Sequence, residues 1–107
     1  MTYTITLSKL ILEDSNEGAK YASLRYELSL PFVPFIGLSL GEKNWSSGTI
    51  KSVYFDNATL KFSCHVENEY ANDDVDDDYT PDSYFDHLVE RAVSEGWKLI
   101  VIRDPNE

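Results

Sequence analysis

The sequence predicts an α+β fold: a largely antiparallel sheet of about five strands with one amphipathic helix packed on one face. Three observations predict it. Segments of alternating apolar and polar residues, rich in β-branched and aromatic types, recur through the first two thirds of the chain. One later stretch carries a helical apolar stripe between a proline and a glycine. The 107 residues, 42% of them hydrophobic, are enough for one core, and with no internal repeat or linker they are expected to form a single domain over 1–107.

Residues 2–7 place Tyr3, Ile5 and Leu7 on one face of a strand and Thr2, Thr4 and Thr6 on the other. Leu10 and Leu12 fall out of that phase, so the strand is expected to bulge near Lys9 or to end there. After a polar turn at 13–18, residues 23–30 set Leu24, Tyr26, Leu28 and Leu30 against Ser23, Arg25, Glu27 and Ser29, completing an antiparallel hairpin. Residues 31–37 hold two prolines within four positions, which excludes a helix interior or a central strand. Their apolar content predicts a buried connection over one end of the core. Exposed, the same Phe32, Val33, Phe35 and Ile36 would mark a partner surface.

Leu38 and Leu40 suit the start of a short strand, and 42–48 a loop carrying Trp45. Residues 49–55 and 60–67 read as a second hairpin joined through the turn-prone Asp56, Asn57, Ala58 and Thr59. Leu60, Phe62, Cys64 and Val66 share one face of its second strand. Residues 70–79 form an Asp-rich loop without apolar periodicity. The helix follows. Thr80 suits the N-cap, Pro81 the first helical position, and Asp82 the positive end of the dipole. Tyr84, Phe85, Leu88, Val89, Ala92 and Val93 make its stripe, and Gly96 its C-terminal stop. The run Leu99, Ile100, Val101, Ile102 is apolar on both faces, which predicts a strand interior to the sheet. The expected core is Ile5, Leu7, Leu24, Tyr26, Leu28, Phe62, Phe85, Leu88, Val89, Val93, Ile100 and Ile102.

Charge is unevenly spread. The chain has 19 acids and 9 bases, a formal charge of -10. Between residues 62 and 90 there is no Lys or Arg, while Glu67, Glu69, Asp73, Asp74, Asp76, Asp77, Asp78, Asp82, Asp86 and Glu90 all fall there. The remainder carries nine acids and nine bases and is neutral. Direct nucleic-acid binding and anionic membrane surfaces are both disfavoured, since each needs clustered bases. A basic protein partner or a bound cation is favoured. No stretch approaches the ~18 apolar residues of a membrane span. The alternating first dozen residues do not read as a secretory signal, so a cytoplasmic location is expected, with the lone Cys consistent with a reducing compartment.

The motifs that carry chemistry are sparse. Asp74, Asp76 and Asp78 occupy positions one, three and five of a calcium loop, but position six is Tyr79 rather than Gly and position twelve is Phe85 rather than Glu. No metal and no cofactor is expected. Cys64 and His65 are strand neighbours facing opposite ways, and a Cys64–His87 pair lacks a visible activating context. Clustered aspartates are solvated, the opposite of what a general acid requires. No Gly-rich phosphate loop, HExxH or GxSxG pattern occurs.

The expected function is therefore non-catalytic. The chain reads as an acidic protein-binding module, an inhibitor docking on the basic, nucleic-acid-binding site of a nuclease or other defence or toxin protein. Viral counter-defence proteins and bacterial immunity proteins share this charge profile. The expected contact residues are Asp73, Asp74, Asp76, Asp77, Asp78, Asp82, Asp86 and Glu90. The last three recur every four residues, ~6 Å apart along a helix, where like charges cost about 0.2–0.5 kcal/mol per pair. Such a row imitates the charge of a line of phosphates, an analogy of charge alone. The alternatives are a small enzyme using Cys64 or the carboxylates, and an oligomeric structural module using residues 31–36.

Overall fold

The computed structural model describes residues 2–13, 19–42, 45–71 and 81–104, with backbone only for residues 42, 45 and 81–83. The elements in chain order are β1 (Tyr3–Leu12), β2 (Tyr21–Leu30), β3 (Ser39–Glu42), β4 (Trp45–Asp56), β5 (Lys61–Val66), β6 (Glu69–Tyr70), α1 (Pro81–Ser94) and β7 (Lys98–Arg103). The fold is α+β, a seven-strand, mostly antiparallel mixed sheet with one helix packed against it. The strand order is β3-β4-β5-β1-β2-β7, with β6 also pairing β1. β3, of four residues, is the short strand expected near Leu38 and Leu40, while β6, of two residues, is too short to show a period. The chain divides into two compact units: Met1–Lys9 with Arg25–Glu67, and Leu10–Leu24 with Asn68–Glu107.

In the first unit, β4 and β5 form the expected antiparallel hairpin, with Ile50 opposite Val66, Phe55 opposite Phe62 and Asp56 opposite Lys61. The connection is residues 57–60. The Asp56 carbonyl accepts the Leu60 N–H and its carboxylate accepts the Ala58 N–H, each at 2.8 Å. Leu60 is held at φ 57°, a left-handed conformation that costs a side-chain-bearing residue about 1–2 kcal/mol. β1 pairs β5 in parallel, Ile5 opposite Phe62 through Ser8 opposite His65. The ring of Phe62 meets Phe55 at 4.8 Å and the edge of Tyr3 at 6.0 Å. Ile5, Leu7, Leu30, Ile50, Cys64 and Val66 are buried here.

The first strand neither bulges nor stops at Lys9. It runs on to Leu12, and Ile5, Leu7, Lys9 and Ile11 keep one inward row, with Lys9 only 5% exposed. The phase is set by continued pairing, Ile11 with Glu69 and Leu12 with Tyr70, so a lysine takes an inward position and Leu10 and Leu12 face the other way. A long aliphatic stem makes Lys tolerable in such a row.

The second unit holds the helix. Phe85, Leu88, Val89 and Ala92 are buried, with Ile11, Ala22, Leu24, Ala71 and Trp97. Lys20 lies 4.7 Å from the centre of the Phe85 ring. Val93, expected inside, is 46% exposed. It sits roughly 90° from the centre of the buried stripe at 100° per residue, so it flanks the stripe instead of completing it. The helix begins at Pro81, as expected from the sequence; Thr80 lies outside the described residues. It ends where Gly96 takes φ 107°. There the Gly96 N–H donates to the Val93 carbonyl and the Trp97 N–H to the Ala92 carbonyl, both at 3.1 Å. That bond pair is the Schellman arrangement, and Ala92 and Trp97, at the two positions where an apolar contact commonly accompanies it, are both buried.

Ile100 and Ile102 correct the sequence expectation. Among the described residues β7 ends the strand order, beside β2, and Leu99, Ile100 and Ile102 are exposed. Tyr26, Leu28 and Phe62 are half-buried.

Leu88→Ala should cost ~2–5 kcal/mol in chemical denaturation, whereas Val93→Ala should stay within about 0.5 kcal/mol. Gly96→Ala should cost about 1 kcal/mol or more, because a Cβ is strained at that φ. A Leu88→Ala chain as stable as its parent would refute the buried stripe.

Candidate functional site

Two features can meet a partner: the acidic stretch and the exposed apolar residues. Of the expected contact residues, Asp73, Asp74, Asp76, Asp77 and Asp78 lie outside the described residues, as do the calcium-loop positions they would fill. Asp82 is in the first turn of α1, where its backbone alone is described. Asp86 and Glu90 are exposed, one turn apart on α1, away from the buried stripe. The nearest base in sequence is Arg91, which pairs with Glu95 at 4.0 Å. His87, also exposed, stacks on Tyr84 with ring centres 5.9 Å apart.

The apolar segment at 31–36 departs from expectation. Pro34 is buried, but Phe32, Val33, Phe35 and Ile36 are exposed, Ile36 to 68%. The connection therefore does not cap the core. Its end is tied down by the Gly37 N–H, which donates to the Ile50 carbonyl at 2.8 Å, and the Ile50 N–H returns a bond to the Leu38 carbonyl at 2.9 Å. The side chains between the prolines are left outward. Tyr54, Phe55 and Leu60 add exposed apolar surface on the β4–β5 hairpin.

Beside this segment, β4 bulges: Ser39 lies opposite Thr49 but Gly41 opposite Ser46, so β4 holds one extra residue there. Gly48 takes φ 79°, and a Cβ there would lie 3.3 Å from Glu67 Cγ. Ser47 is fully buried; its Oγ accepts the Leu40 N–H at 2.9 Å and donates to the Gly48 carbonyl at 2.6 Å. Glu67 Oε1 accepts the Thr49 N–H at 3.2 Å, and the Thr49 carbonyl accepts the Glu67 N–H at 2.8 Å. These bonds satisfy backbone groups that the bulge takes out of the ladder. Serine buried beside glycine was the sequence signal for this device, in a segment read only as a loop.

Cys64 is buried, 1% exposed, and burial pushes its thiol pKa up. The thiolate is the nucleophile, so this is the reverse of activation. His65 is half-buried on the opposite face of β5. Among the described residues no three or more His, Cys, Asp or Glu side chains are grouped to hold a metal ion. An open depression of about 430 Å³ is lined by Tyr21, Ile102, Arg103 and Asp104. Among the described residues no helix is long and apolar enough to cross a membrane.

Fold and surface together define a small α+β protein with a concentrated acidic stretch and several exposed apolar side chains. No protein-family model matches the chain, and no curated protein or solved structure matches it significantly.

Cys64 should resist disulfide-exchange reagents in the folded chain and react promptly in denaturant. Because its folded pKa is raised, the unfolded chain loses this proton first. Its contribution to stability is therefore complete below about pH 8.5 and declines above it. The stability difference between the wild type and Cys64→Ala should shrink as the pH rises above about 8.5. A native thiol that reacts as fast as a free one would contradict the buried placement.

Proposed function

We propose that the chain is a non-catalytic, acidic protein-binding module, an inhibitor that docks on the basic, nucleic-acid-binding site of a nuclease or other defence or toxin protein. One observation carries this reading: all of the net charge of -10 lies within residues 62–90, and the rest of the chain is neutral. A uniform solubilising surface would spread that charge. Concentrated, it makes a local field that steers a basic partner and repels acidic ones. The exposure of Asp86 and Glu90 on a helix supports the same reading, since rigid positions hold carboxylates at a fixed spacing. The burial of Cys64 weakens the alternative of a thiol enzyme.

A second reading is favoured by a separate observation. Exposed Phe32, Val33, Phe35 and Ile36 suit a structural or oligomeric module that docks through apolar contact.

The test separates the two. Asp76, Asp77 and Asp78 changed together to Lys alter the local charge by six units. Asp82, Asp86 and Glu90 changed to Asn or Gln keep shape and remove charge. With a partner captured on the wild-type chain, both variants should stay folded and associate far more slowly, and the deficit should shrink at high salt. Unchanged on-rate and affinity in both variants would overturn the acidic-surface reading. Loss of binding in Phe35→Ser instead would favour the apolar one.

A further inference from the structure

We draw no further inference here: the strongest candidate, the exposed apolar patch of Phe32, Val33, Phe35 and Ile36 on the connection between β2 and β3, carries nothing beyond the reading already given, because nothing in the structure shows what covers it.

Discussion

β1 has a parallel neighbour on one edge, and the rest of the sheet depends on that pairing. Ile5 meets Phe62 and Ser8 meets His65, each across 57 positions of sequence. Nothing local holds these residues together, so the pairing has to be stabilised by the faces it buries. The inward row Ile5, Leu7, Lys9 and Ile11 supplies one of them and Cys64 and Val66 the other. A slip of one residue would turn that row to solvent, which is why the register is tightly specified. Further along, the offset becomes 58, with Ile11 opposite Glu69. One extra residue is absorbed between β5 and β6, where Glu67 turns its backbone and carboxylate to Thr49. Gly48 and Glu67 approach closely at this point, where a Cβ on Gly48 would lie 3.3 Å from Glu67 Cγ.

The helix is held by a different logic. Its start and stop are written locally, in Pro81 and in the Gly96–Trp97 pair. Trp97 is more than a residue after the helix, because its N–H closes the last turn while its indole fills the core of that unit. The same residue then hands the chain directly to β7, so the helix end fixes where the edge strand begins.

Legibility followed range. The helix bounds, the β4–β5 hairpin and the fold class could be read because each rests on contacts between near neighbours: a cap, a turn, a period of two. The parallel β1–β5 pairing could not, since no local pattern encodes a partner 57 positions away. Lys9 misled because a charged residue in an inward row looks like a break in phase. Residues 99–102 misled for another reason. A run apolar on both faces fits a central strand and a sticky edge equally well, and topology alone decides between them. Proline-bounded residues 31–36 behave likewise, since apolar content does not say which way a tethered segment faces. Of the candidate site, the charge asymmetry was fully legible. Its geometry is described only at Asp86 and Glu90.

Charge and self-contact place separable demands on the chain. A molecule of charge -10 repels its copies, so any homotypic contact has to be short, compact in charge and distant in sequence from the acidic stretch. All of the net negative charge lies within residues 62–90, and the rest of the chain is neutral. At 0.1 M salt the field of a charge decays over ~10 Å, so acids beyond that distance scarcely oppose a contact between copies. Raising the salt should therefore act in opposite senses on the two kinds of contact. It removes the steering that an acidic stretch gives to a basic partner, while it screens the general repulsion between copies.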